Sequence, residues 1–328
     1  MSSEAQSAGL GKSRPSSPKV PDTAPPAIPV QLSVVAIEWR SRGLLKHAIT
    51  SVISQGHPAE IVVVKNKADP ELDSWLTSHG VLVLHTKDES IGGKYALGFQ
   101  RATGEVILPL EDDDVFLSDK LRFLSELFGK DPELDLVHHG HVRRNPSSGA
   151  LTPGPFIPDF NCSSMALRRS VALLLIPSLL RESGTPDTLI YYGTEALGKQ
   201  TLQIPERFTE VRLDPLAPSH GPLLSAYLRT AREVQLLGRG RSRRKALSTV
   251  TATYFSYLMR SRLPEGQGRA AWALVSLLKD IDIRSMLPNL REVVCGAIYP
   301  FAPPLSRLAY RMARQGQIDW VDSSDGRS

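Results

Sequence analysis

The sequence predicts an α/β protein, a mainly parallel sheet with helices on both faces, followed by a helical C-terminal region. Three observations predict it. Five short, nearly continuous apolar runs recur between residues 32 and 138. Segments with apolar residues at helical spacing separate them. Beyond about residue 222 the chain reads as helical. Unbroken apolar strands are buried on both faces, as in a parallel sheet covered by helices.

Residues 1–30 are rich in Ser, Pro, Ala and Gly, as in Arg14-Pro15-Ser16-Ser17-Pro18. Such a stretch buries too little apolar surface to offset its ordering entropy and reads as a disordered tail. Leu32 to Ile37 is the first strand. Leu44, Leu45, Ala48, Ile49, Val52 and Ile53 form a helical stripe. Ile61–Val64 is the second strand, and Pro70 to Ser78 a short helix with Leu72, Trp75 and Leu76 inward. Val81–Leu84 is the third strand. Residues 94–102 form a helix with Gly104 as its expected C-cap. Val106–Leu108 is the fourth strand, and Ser118 N-caps a helix to Phe128. Leu134 to His138 is the fifth strand. Gly140, Pro146, Gly149, Pro153, Gly154, Pro155 and Pro158 mark residues 140–160 as loop. The expected division is a sheet domain over 31–221 and a helical region over 222–328.

Composition narrows the function classes. An apolar share of 41% excludes a disordered chain. A net charge of +5 is too mild for a dedicated nucleic-acid binder. Cys162 and Cys295 cannot build a disulfide framework or a four-thiolate zinc site, so a reducing compartment is expected. The chain shows no signal-peptide pattern and no apolar run of membrane-spanning length, so a cytoplasmic location is expected.

The chemistry concentrates at Leu110-Glu111-Asp112-Asp113-Asp114, directly after the fourth strand. Consecutive carboxylates repel one another unless a cation or solvent absorbs the charge. In parallel sheets the ligand crevice lies at the carboxyl ends of the strands. Closely spaced oxygens there suit Mg²⁺ or Mn²⁺, which commonly bridge phosphates. The plainer reading, a solvated acidic turn, does not account for the buried strand that precedes it.

Several landmarks occur in order. They are Ser33–Ile37 with the helix through Ala48–Val52, Gln55-Gly56-His57-Pro58 before Glu60–Val64, Ala102-Thr103-Gly104-Glu105-Val106-Ile107, and Leu110–Asp114 followed by Lys120-Leu121. Together, over residues 32–121, they resemble the nucleotide-sugar-binding half of a family 2 glycosyltransferase with the GT-A, Rossmann-like fold. The resemblance implies that Glu111 and Asp113 hold a divalent cation, Mn²⁺ or Mg²⁺, against the donor diphosphate. Asp112 between them then meets the donor. Such a cation stabilises the charge that builds on the leaving diphosphate.

Gly184-Thr185-Pro186-Asp187-Thr188-Leu189 resembles the family's later "E-D-x-x-L" segment. Asp187 takes the position of the base that deprotonates the acceptor hydroxyl in inverting members, and Pro186 replaces the usual acidic neighbour. Asp187 also suits a plain helix N-cap. Asn161–Arg169 resembles the acceptor-side strand, with Ser163 and Ser164 as acceptor contacts or turn residues. Cys162 reads as a small buried residue. His220, where the sheet domain should end, is a candidate third metal ligand or a surface turn residue. His138, His139 and His141 are not assigned to zinc, because no Cys or carboxylate stands at a fitting spacing.

Two segments depart from the family pattern. The first strand ends in Ile37-Glu38-Trp39-Arg40 and the second in Lys65-Asn66-Lys67. Ile37, Glu38 and Lys65 take donor positions. Glu38 can accept ribose or base hydrogen bonds in place of the usual Asp. Lys65 is expected to pair with Glu38 or to meet a phosphate. The base is left open. Gly92-Gly93-Lys94 opens a helix whose N-terminal amides, with Lys94, suit a diphosphate.

Arg239, Arg241, Arg243, Arg244 and Lys245 precede an aromatic, amphipathic segment through Tyr254, Phe255, Leu258 and Met259. This pairing fits an anionic membrane surface, and equally a helical subdomain beside a solvated basic loop. The resulting expectation is an inverting, metal-dependent glycosyltransferase that takes a nucleotide sugar and a glycan or lipid-linked acceptor. It is cytoplasmic or peripheral on a membrane, without nucleic acid. The alternatives are a catalytically silent GT-A-like binding or scaffold protein, and a nucleotidyltransferase.

Overall fold

The computed structural model describes residues 29–39, 43–145, 148–154, 160–181, 185–212, 220–260, 267–279 and 283–312. The expected tail over 1–30 lies almost wholly outside the described residues. The first half alternates strand and helix: β1 (Leu32–Ile37), α1 (Leu45–Ile53), β2 (Glu60–Lys65), α2 (Pro70–Ser78), β3 (Leu82–His85), α3 (Ile91–Arg101) and β4 (Val106–Glu111). Then come β5 (Val115–Phe116), α4 (Lys120–Lys130), β6 (Leu134–Arg144), β7 (Leu151–Pro153), a single 3-10 turn (Cys162–Ser164), β8 (Met165–Arg168), α5 (Arg169–Leu179), α6 (Pro186–Ala196) and β9 (Gln200–Arg212). The rest is helical: α7 (His220–Leu236), α8 (Gly240–Arg260), α9 (Gln267–Leu278), α10 (Ile283–Met286), α11 (Leu290–Ile298) and α12 (Pro303–Met312).

One sheet runs in the order β3-β2-β1-β4-β8-β6-β9-β5, with β7 on β6. The strands β3, β2, β1 and β4 are mutually parallel. β8 is antiparallel to both its neighbours, while β6 and β9 are parallel. β1 sits at the reversal of strand order, where an open sheet forms its crevice. Its last residue, Ile37, is in register with Val64 and with Glu111.

The period of two in β1 divides the core. Val34 and Ala36 face one layer with Leu45, Ile49 and Val52 of α1 and Leu121 and Leu124 of α4. Val35 and Ile37 face the other with Tyr95 and Phe99 of α3, Leu175 of α5 and Leu189 of α6. Each such buried side chain contributes about 1.5–3 kcal/mol. The second layer continues into Leu224, Val234, Leu247, Val250, Tyr254 and Phe255, so the helical region shares a core with the sheet.

Several local expectations are corrected. Gly104 is not a helix cap: α3 ends at Arg101, and the Gly104 amide donates to Ser33 Oγ at 2.7 Å. A Cβ there would lie 2.7 Å from the Leu32 carbonyl carbon, so the residue allows a close chain crossing. Ser118 does not cap α4. Asp119 precedes the helix in the left-handed region, and the Leu121 amide is met by Gln55 Oε1 at 2.9 Å. Part of the expected 140–160 loop is strand, because β6 runs on to Arg144 and pairs with β7. Three histidines and a bulge around Gly140 hide this strand from a hydrophobicity reading. β9, with Pro205 and alternating charge, was hidden likewise.

The basic run forms the start of α8 rather than a loop. Tyr254, Phe255, Leu258 and Met259 are buried against the sheet layer, so this aromatic face does not meet a membrane. Among the described residues no helix is long and apolar enough to cross a bilayer.

Candidate functional site

The register of β1 and β4 brings Glu38 and Trp39 beside the acidic run at the carboxyl ends of these two interior strands. The Trp39 amide donates to Asp112 Oδ2 at 3.0 Å. Lys94 Nζ donates to the Glu38 carbonyl at 2.6 Å and lies 5.5 Å from the Trp39 ring centroid. Burial draws the Lys94 ammonium below its usual pKa, against the pull of Asp112 and Glu38. Ile37, Glu38, Lys94 and Asp112 are thus brought together. Glu38 Oε2 is buried with no hydrogen-bond donor among the described residues.

The acidic run folds into a tight turn, with the Asp114 amide donating to the Glu111 carbonyl at 3.2 Å. Carboxylate oxygens of Glu111, Asp113 and Asp114 consequently lie within 4.8 Å of one another. Burial raises the Glu111 carboxyl well above the usual range, and Asp114, Asp113, Asp187 and Asp112 add to it. Burial and then Asp113 push Asp114 up to about 7. Asp114 Oδ1 accepts from the Arg212 amide at 3.3 Å, and Oδ2 is buried without a donor among the described residues. Three hard oxygen donors, one of them orphaned and buried, fit a divalent cation such as Mg²⁺ or Mn²⁺.

A scaffold absent from the motif reading supports this turn. Lys120, fully buried, donates from Nζ to the Ser163 carbonyl at 2.6 Å and to Thr209 Oγ1 at 3.1 Å. Its ammonium lies 3.3 Å from the Phe116 ring centroid. Thr209 Oγ1 donates to the same carbonyl at 2.7 Å. The Ser163 hydroxyl accepts the Glu111 amide at 2.9 Å. Ser163 therefore braces the acidic turn. Ser164, also fully buried, has a hydroxyl with no partner among the described residues. Asp114, Lys120 and Thr209 carry roles that the sequence reading did not assign. For Asp114 the signal was its place in the acidic run, and for Lys120 the Lys120-Leu121 pair that trails it, although neither the burial of the lysine nor its partners could be read there.

Asp187 lies in the first turn of α6, after the N-cap residue Thr185. Its Oδ1 accepts its neighbour Thr188's amide at 2.7 Å. Its charge adds to the upward push that burial and the acidic run exert on Glu111, and to that on Cys162. Cys162 is a buried free thiol, held protonated by burial and by those carboxylates. His220 begins α7, and its side chain lies outside the described residues, as do residues 155–159 of the loop.

Two donor-side expectations change. Lys65 does not pair with Glu38: its buried ammonium donates to Asp73 Oδ1 on α2 at 2.8 Å, and His85 Nε2 meets Asp73 Oδ2 at 3.2 Å. The helix opened by Gly92 and Gly93 already has an anionic neighbour, because Asp88 Oδ1 accepts the Ser90 amide and hydroxyl. Ser90 Oγ accepts the Gly93 amide at 3.0 Å. A Cβ at Gly93 would fall 1.8 Å from the Asp88 carboxylate. His138, His139 and His141 are buried, and no metal-holding group among the described residues includes them.

Residues 33–173 match the sequence profile of glycosyl transferase family 2. An uncharacterized glycosyltransferase of Nostoc sp. strain PCC 7120 is 28% identical over 117 residues. That match spans 34% of this chain and 36% of the relative, about a third of each. Among solved structures, S. aureus TarS 1-349 in complex with UDP-GlcNAc superposes with a TM-score of 0.59 at 16% identity, covering 88% of this chain and 93% of that one. The mannosyltransferase PcManGT from Pyrobaculum calidifontis, in complex with GDP-Man and Mn²⁺, gives 0.51 at 14% identity, covering 91% of each chain. At these identities the likeness concerns the fold, which here includes the helical C-terminal region.

Proposed function

We propose that the chain is a family 2 glycosyltransferase, as its match to that family's profile over residues 33–173 supports, and that it moves a sugar from a nucleotide-sugar donor to an acceptor hydroxyl with inversion. The observation that carries this reading is the acidic turn at the end of β4, with three carboxylates within 4.8 Å and a buried, orphaned Asp114 oxygen. A catalytically silent scaffold gains nothing from such a charge cluster, which costs stability without a cation.

Glu111, Asp113 and Asp114 hold the divalent cation, with His220 as a further ligand. When bound, that cation neutralises the charge growing on the leaving diphosphate. Ile37, Glu38, Asp112 and Lys94 form the donor wall, while Lys65 is committed to Asp73, and the Trp39 backbone is held to Asp112. Asp187 takes the proton of the acceptor hydroxyl as its oxygen attacks the anomeric carbon in line with the departing diphosphate. Ser164 contacts the acceptor, and Ser163 reaches it only from its bracing position. The acceptor is a glycan or a lipid-linked sugar at the cytoplasmic face of a membrane. The unit of transfer is the domain of residues 31–221, with the described helices α7, α8, α9, α11 and α12 sharing its core.

Similar folds carry UDP-GlcNAc in TarS and GDP-Man in PcManGT, so both bases are tested. Calorimetric titration with UDP, GDP and CDP, with and without Mn²⁺, is repeated on Asp113→Ala. Metal-dependent binding of one nucleotide, lost in the variant, supports the reading and names the donor class. No nucleotide binding under any condition overturns it. Asp187→Asn should keep nucleotide binding and lower kcat by about a hundred- to ten-thousandfold.

A further inference from the structure

We propose that α11 and α12, with Phe301 at the turn between them, form a docking surface for an anionic lipid bilayer. This inference goes beyond the transferase reading and does not depend on it.

Phe301 is 85% exposed. On α11, Leu290 and Val294 are about half exposed at an i,i+4 spacing. On α12, Leu305, Leu308 and Met312 are more than half exposed at i,i+3 and i,i+7. Each set forms one stripe on its helix. The inward side of α12 carries polar anchors instead. The Ser306 hydroxyl donates to the Cys295 carbonyl, and Tyr310 OH lies 2.6 Å from Ser256 Oγ. This helix inverts the usual pattern of a soluble protein, with hydrogen-bonding groups in the core and leucines outside. So large a set of exposed apolar side chains within one short stretch marks an interaction surface.

Charge selects the occupant. α11 and α12 hold Arg291, Arg307 and Arg311 against the single acid Glu292. Glu292 Oε1 is already taken by Arg291 Nε at 2.9 Å. Arg311 is exposed beside Met312. A second copy of the chain would set these arginines against their equivalents. An anionic lipid surface complements them while accepting the apolar stripes, as for helices lying in the interface plane. Among the described residues no helix crosses the bilayer, so the chain would lie on it.

The test is co-sedimentation of the full chain with vesicles of phosphatidylcholine alone and of phosphatidylcholine mixed equally with phosphatidylglycerol, without donor or acceptor. Binding should require phosphatidylglycerol and weaken with salt. Leu305→Ser combined with Leu308→Ser should weaken it at least about tenfold. Arg311→Gln should weaken it about fivefold. All three positions are exposed, so unchanged melting temperatures separate lost docking from lost folding. Absence of vesicle binding, or binding that the leucine variant retains, overturns the proposal. So does a dimer by light scattering that the leucine variant abolishes, which would assign the surface to a second copy. Because no substrate is present, failure here leaves nucleotide binding and transfer as a separate result.

Discussion

Lys120 Nζ donates a 2.6 Å hydrogen bond to the backbone carbonyl of Ser163, whose own hydroxyl receives the Glu111 amide at 2.9 Å. A buried lysine on α4 is thereby linked to the end of β4 through one residue. Lys120→Met removes the ammonium but leaves Thr209 on the Ser163 carbonyl. Stability should fall by about 1–3 kcal/mol. Mn²⁺ affinity should fall about tenfold as the brace loosens. A rise in Mn²⁺ affinity, read by calorimetry, would show instead that Lys120 acts only as a competing positive charge.

Ser163 and Ser164 are adjacent and fully buried, yet their hydroxyls differ. Ser163→Ala should weaken Mn²⁺ binding by about 10- to 100-fold, because the Glu111 amide loses its acceptor. Ser164→Ala should leave Mn²⁺ binding unchanged and raise the acceptor KM. Equal effects of the two variants on both readouts would contradict this division.

Lys65 is committed to Asp73. Lys65→Met should lower the unfolding free energy by about 1–3 kcal/mol in a denaturant titration. Asp73 is partly exposed, so the loss is smaller than for a fully buried pair. Nucleotide affinity should be unchanged. A large loss of affinity at unchanged stability would return Lys65 to the phosphate side.

Burial pushes the His138 imidazole down to about 4, and His141 likewise, helped there by Arg143 and Arg207. Both therefore hold fewer protons folded than unfolded between about pH 6.5 and 4. Their contribution is present above pH 6.5 and is lost as pH falls through that window, on the order of 3 kcal/mol for His138. The melting temperature should drop over this range, and His138→Gln should flatten the drop. A profile identical to the wild type would assign the acid sensitivity elsewhere.

The elements that a local pattern encodes were legible. α2 runs from Pro70 to Ser78 as its spacing predicts, with Asp69 accepting the Leu72 amide as N-cap. The β1 alternation was also readable, and with it the place of the acidic run at the end of a buried strand. β6 and β9 were harder, because their cover comes from neighbouring strands. His138 was legible as the end of a strand, but His141 looks like a loop residue until β9 pairs with it.

By itself the sequence determined the alternating α/β order and the run of carboxylates at the end of β4. Hydrophobic period and consecutive charge are local properties, readable without knowing what lies opposite. Only the tertiary structure decided which charges are buried and what they touch. Lys120 reaches Ser163 43 residues away, and Thr209 reaches it across 46. The same distance effect buried the aromatic face of α8 and left the leucines of α12 outside. A helical stripe records that one face is apolar. Which face meets the core depends on where the other helices pack.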